Sequence, residues 1–116
     1  MSENIWEYHP AAGHVDGALL VGYEVEATDG NIGKVDKHSD EVGSAYLVVD
    51  TGPWIFGKRV LLPAGTVTEI NLETHTVFVG RTREQVKNAP DFDQDKHLDD
   101  PEYHRVIGGY YGTPAM

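Results

Sequence analysis

The sequence predicts a mainly β domain, a small barrel or sandwich, and three observations lead there. Residues 21–28 alternate cleanly: Val21, Tyr23, Val25 and Ala27 share one parity and Gly22, Glu24, Glu26 and Thr28 the other, the pattern of a strand with one buried and one wet face. Six short apolar runs recur through residues 21–80, separated by turn residues at the spacing of an all-β fold. Ala45–Val49 is apolar on both parities, as expected of a strand covered on both sides.

In chain order, residues 1–18 mix Trp6 and Tyr8 with Pro10 and Ala11-Ala12-Gly13 and hold no period. They read either as a strap laying Trp6 on the domain, which a small body needs for extra burial, or as a partner-binding arm. Asp29-Gly30 closes the first hairpin, because glycine accepts positive φ without a Cβ clash. The next strand, Asn31–Lys37, carries Gly33, a mark of a bulge or a close backbone approach. Ala45–Asp50 and Lys58–Leu62 are joined by a loop bearing Trp54, Ile55 and Phe56, and Pro63 ends the second of them. A tight turn over Pro63–Val67 follows, then a strand with Ile70 and Leu72 on one parity. Glu73-Thr74 turn into the last strand, Thr76–Gly80, with Val77 and Val79 inward. Thr82 and Gln85 form a capping box for a short helix ending before Pro90. A second helix opens at Asp100, with Pro101 at its first position and Glu102 near the positive end of its dipole. Gly108-Gly109 is expected to stop it, with Tyr110 and Tyr111 packing back on the domain.

The stretch SAYLVVDTGPWIFGKRVLLPAGTV, Ser44–Val67, resembles the PRC-barrel family, whose members include the cytoplasmic domain of the photosynthetic reaction centre H subunit and the C-terminal domain of a ribosome-maturation factor. The resemblance runs from about Gly22 to Val79. The ending, Asp91 to Tyr110–Gly112, is similar to the tail of stand-alone bacterial members. It implies a six-stranded antiparallel barrel of the PRC type with a short C-terminal helical tail. The divisions are then an N-terminal strap (1–18), the barrel (19–80) and a helical, acidic tail (81–116).

Composition narrows the function. At 116 residues the chain makes one domain. Cysteine is absent, which excludes disulfides and thiolate chemistry and fits a cytoplasmic location. No apolar run approaches the ~20 residues of a membrane span, so a soluble protein without direct membrane insertion is expected. Net charge is -10; residues 1–80 carry 4 basic and 12 acidic side chains, residues 81–116 carry 5 and 7. A body this acidic repels phosphate backbones, which argues against nucleic acid.

One local pattern points to a cation. In Asp91-Phe-Asp93-Gln-Asp95-Lys-His97-Leu-Asp99-Asp-Pro-Glu102, oxygen-bearing side chains fall at positions 1, 3, 5, 9 and 12 of an EF-hand-like loop. Asp91, Asp93, Asp95 and Glu102 are the candidate calcium ligands. Against them, Lys96 stands where the loop needs glycine, and Pro90 shortens the entering helix. The alternative is a solvated acidic linker capping a helix. The six histidines show no HxH or HxxxH spacing. No phosphate loop or nucleophile–base pair is present, so catalysis and resident cofactors are not expected.

The Trp54-Ile55-Phe56 loop is the most suggestive surface, since Trp and Phe in a patch are typical binding anchors. It reads equally as a plug over one barrel end. The expectation is a non-enzymatic interaction module that docks on a protein partner or self-associates as a homo-oligomer, with Trp54, Ile55, Phe56 and Trp6 as interface residues. The resemblance to the H subunit implies an alternative, an accessory domain supporting a membrane electron- or proton-transfer complex. A calcium-responsive regulator acting through the acidic tail is the third.

Overall fold

A computed structural model describes residues 5–8, 19–39, 45–52, 58–90, 92–98 and 100–112. Six strands form one sheet: β1 (Glu24–Ala27), β2 (Gly30–Ser39), β3 (Tyr46–Asp50), β4 (Arg59–Pro63), β5 (Val67–Asn71) and β6 (Thr76–Val79). A 3-10 turn, Ala64–Thr66, lies between β4 and β5, and the helices α1 (Arg83–Lys87), α2 (Gln94–His97) and α3 (Pro101–Gly112) complete the order.

Strand order across the sheet is β4-β3-β2-β1-β6-β5. Its two edges are therefore consecutive in the chain, joined by the three residues of the 3-10 turn. A flat six-stranded sheet would hold its edges about 24 Å apart. The four Cα links from Pro63 to Val67 reach at most about 15 Å. The sheet must curl, and it does so around an aliphatic interior in which Leu20, Val25, Leu47, Leu62, Val67 and Val77 are fully buried. No ladder joins β4 to β5 among the described residues.

The expectation of an all-antiparallel sheet is corrected: β1 and β6 pair in parallel, Glu24 opposite Thr76 and Glu26 opposite Phe78. Topology explains it. The 3-10 turn carries the chain around a corner without reversing it, so β5 keeps the sense of β4. The β5–β6 hairpin then reverses, and β6 reaches the free edge of β1 running the same way.

Register departs from simple alternation at three bulges, one of which Gly33 marks. Val25 faces Gly33 and Glu26 faces Asn31, leaving Ile32 as the extra residue. Gly33 has φ +143°, and a Cβ there would lie 2.0 Å from the Asp50 carbonyl oxygen; only glycine fits. A second bulge at Asp36 adjusts β2 against β3. The third, between Val67 and Glu69, changes which β5 residues face inward. Val67 and Ile70 are buried, while Leu72, on the parity of Ile70, lies beyond the end of the strand at Asn71 and is exposed in the turn. β3 is covered on both faces: Leu47 and Val49 join the interior cluster and Val48, of opposite parity, is equally buried outside it.

The capping box is present, with the Thr82 hydroxyl accepting from the Gln85 amide and the Gln85 side chain accepting from the Thr82 amide. At α3 the Asp100 carboxylate accepts from the Glu102 amide ahead of Pro101. The helix does not stop at Gly108-Gly109 but runs to Gly112, because its buried stripe, Tyr103, Ile107 and Tyr111, repeats every fourth residue and continues past the glycines. Of the closing tyrosines only Tyr111 is buried; Tyr110 remains partly exposed and donates to the Gln85 carbonyl.

Candidate functional site

Three segments distant in sequence meet at the corner where the sheet turns. Residues 5–8 cross it, and their hold is mostly main-chain: the Ala45 amide donates to the Trp6 carbonyl (2.9 Å) and the Gly65 amide to the Ile5 carbonyl (2.7 Å). Above the strand ends the Trp6 indole stacks on the His104 ring of α3, centroids 5.1 Å apart and planes within 22°. Tyr46 of β3 meets the same imidazole edge-on at 5.7 Å. His104 is fixed from behind, its Nε2 2.7 Å from the Leu98 carbonyl.

Two glycines make room for this arrangement. A Cβ at Gly65 would sit 2.6 Å from the Ile5 carbonyl oxygen, and one at Gly108 would sit 2.8 Å from the Trp6 indole nitrogen. Neither distance is tolerated by real side chains, so the 3-10 corner and the face of α3 are both cut back where the arm lies. Ile5, Trp6 and Tyr8 are half-buried against the core. The result is a slot, walled by the corner and α3, in which the turn at residues 5–7 and the flat Trp6 side chain are seated.

Trp6 alone was singled out from sequence here. Tyr46, Gly65, His104 and Gly108 were missed, and the available signal was Gly108 in the middle of a helix-compatible stripe, where glycine costs about 1 kcal/mol relative to alanine unless something approaches it. Trp54, Ile55 and Phe56 lie outside the described residues.

A second concavity of about 360 Å³ opens on the outer face of β1, β2 and β3, lined by Glu24, Asn31, Gly33, Lys34, Asp50, Thr51 and Gly52. Its polar groups are engaged with one another. The Asn31 amide donates to both Glu24 (2.9 Å) and Glu26 (2.6 Å). The Thr51 hydroxyl donates to the Lys58 carbonyl and the Gly52 amide donates to Asp50. Nearby, Arg59 donates to Asp36 at 3.1 Å and approaches Asp50 at 3.9 Å.

The acidic segment contains a turn of helix, α2, where the EF-hand-like reading placed the middle of a loop. Asp93 is exposed, its carbonyl accepting from the Lys96 and His97 amides while its own amide donates to His97 Nδ1. Glu102 is exposed and paired with Arg105, whose hydrogen bond and positive charge lower the Glu102 carboxyl below its usual range. Asp91 and the side chain of Asp95 lie outside the described residues. Among those described, no group of three or more His, Asp or Glu side chains is placed to hold a metal ion.

On the inner face of α3, burial, with a smaller contribution from the neighbouring tyrosines, pushes the Tyr111 hydroxyl well above its ordinary range. That hydroxyl has no hydrogen-bond partner among the described residues. The Tyr111 carbonyl accepts from Arg81, whose guanidinium lies 5.9 Å from the ring centroid.

No described helix is long and apolar enough to cross a membrane. No protein-family model matches the chain, and no curated protein does.

Proposed function

We propose that this chain is a non-enzymatic interaction module, built on a PRC-type barrel, that works by associating with itself or with a protein partner. The observation that carries the reading is where apolar surface remains after folding. The interior is filled by aliphatic side chains, yet Leu19 is 76% exposed, Val21 51% and Leu72 44%. These three sit at one end of the sheet, where Tyr23, next to Val21, packs on His75 of the β5–β6 turn at 5.0 Å. Apolar residues gathered on a surface mark contact sites more often than isolated ones do. A filled interior leaves the outside of the domain to carry function. The pattern of Ser44–Val67 supports the PRC-type assignment, and in this reading Trp54, Ile55 and Phe56 add anchors.

The test is the native mass of the purified protein by light scattering over a wide concentration range, together with capture of partners from cell extract by wild type and Trp54→Ala. Association that weakens in the variant, with the melting temperature largely kept, supports the reading. A monomer that captures no partner refutes it.

A further inference from the structure

The slot at the corner holds a short arm by features that do not depend on which copy of the chain the arm belongs to. Two backbone hydrogen bonds, one aromatic stack and two glycine-cleared walls recognise the Ile5-Trp6 dipeptide itself. Ten residues, 9–18, separate the described arm (5–8) from Leu19, where the chain re-enters the domain. Ten residues of extended chain reach about 33 Å, comparable to the 38 × 34 × 30 Å extents of the molecule. An arm can therefore cross to the slot of a neighbouring copy and make there the same contacts it makes at home. Exchange of an identical element is a low-cost route to a dimer, because no contact new to the fold is required. Charge gives no help to self-association at a net charge of -10, so an apolar, main-chain-directed contact is the kind that can bring copies together.

We infer that the slot formed by Ala45, Tyr46, Gly65, His104 and Gly108 is a self-association site whose ligand is the Ile5-Trp6 arm of a second copy of this chain. The inference rests on the interaction-module reading and names its partner and its contact. The dimer is symmetric, each copy giving an arm and receiving one, and His104 is the group on which the incoming indole stacks. Open slots would be rare in such a dimer, which closes on itself and does not extend into fibres.

The test uses the full chain. Because it has no cysteine, single labels can be placed at will. One population carries a donor fluorophore at Glu7→Cys, on the arm, and another an acceptor at Arg105→Cys, on the exposed side of α3 beside His104. Exchange predicts a dimer by light scattering and energy transfer between the mixed populations as strong as that within a single chain labelled at both positions, because the arm sits in the same slot either way. It also predicts dimerisation about tenfold or more weaker in Trp6→Ala, the usual result of truncating a tryptophan anchor. A dimer whose transfer between the populations falls well below that of the doubly labelled chain overturns arm exchange and leaves self-association through another face standing. A monomer at every concentration overturns both. If Trp6→Ala fails to fold, the energy-transfer result decides alone, since neither labelled chain alters Trp6 or His104.

Discussion

The curled sheet and the layer laid across its corner are built on different physics. In the sheet, five ladders share the load among the described residues, side chains such as Leu47, Val48 and Leu62 are fully buried, and the buried hydroxyls of Thr51 and Thr66 have work: Thr51 donates to the Lys58 carbonyl and Thr66 to the Pro63 carbonyl. In the layer, α3 shares the core through Tyr103, Ile107 and Tyr111, but the arm rests on discrete contacts. Among those that tie the layer down are the Trp6–His104 stack, two main-chain bonds to Ile5 and Trp6, the Tyr110 hydroxyl on Gln85 and Arg81 on the Tyr111 carbonyl. Many small contacts resist the loss of any one. A few specific ones can be made and unmade, which is what an exchangeable or regulated layer requires.

The largest expected effect lies in the sheet, at Gly33, where an added Cβ would meet the closest approach found among the described glycines. Gly33→Ala sets a Cβ 2.0 Å from the Asp50 carbonyl oxygen at φ +143°. The β2–β3 ladder must open or β2 must lose its bulge. A loss of about 3 kcal/mol or more is expected from combined clash and backbone strain, a large share of the roughly 5–15 kcal/mol that holds an ordinary domain folded. Chemical denaturation monitored by circular dichroism measures it. A variant within 1 kcal/mol of wild type, on the same scale, would mean that β2 and β3 are held less tightly than the ladder implies.

Gly33 also shows what is legible in a sequence. A glycine interrupting an alternating strand has few explanations, all local, so its bulge could be read without a structure. The same holds for the Thr82–Gln85 box and for β3, whose double-sided burial follows from apolar residues on both parities. The parallel β1–β6 pair was not legible, because direction across a sheet depends on how β4 turns the corner into β5, and no residue in Ala64–Thr66 encodes that by itself. The bulge beyond Val67 was hidden for a related reason: Ile70 and Leu72 look alike until the register with β6 is known. At the candidate site Trp6 stood out as an aromatic in an aperiodic segment. Its receptors did not, since Tyr46, Gly65 and His104 acquire their roles only when segments forty or more residues apart in sequence are brought together. Gly108 was visible but read as a stop signal, the commoner meaning of paired glycines near a helix end.

That misreading supplies the next test, a matched pair inside the layer. Gly108 and Gly109 are adjacent in α3, and alanine is favoured over glycine in a helix by about 1 kcal/mol. At Gly109 a Cβ would meet nothing within 4 Å, so Gly109→Ala should stabilise the protein by up to that amount. At Gly108 the added carbon would stand 2.8 Å from the Trp6 indole nitrogen. Gly108→Ala should gain nothing, and should speed amide exchange in residues 5–8 and α3 while sparing β1–β3. Thermal melts and hydrogen exchange on the two variants check this. Equal gains at both positions would show that Trp6 is not seated against α3.

The smallest effect concerns a buried hydroxyl of α3. The Tyr111 hydroxyl is buried without a partner among the described residues, whereas the buried Thr51 and Thr66 hydroxyls are both satisfied. Burial raises the Tyr111 ionisation above its ordinary value, so the folded state holds this proton more tightly than the unfolded chain does. Stability from that preference is complete below the unfolded value of about 10. It is lost as pH rises beyond it and toward the folded value, where the unfolded state ionises first. Tyr111→Phe removes the proton and the unsatisfied hydroxyl together, while keeping the ring that packs on Ile107 and faces Arg81. Neutral-pH stability should therefore rise by about 1 kcal/mol, and alkaline destabilisation should begin later and be shallower than in wild type. Denaturation midpoints measured at neutral pH and above pH 10 give both numbers. A loss of stability in the variant would instead reveal a partner for the hydroxyl, and the layer would then be satisfied in the same way as the sheet beneath it.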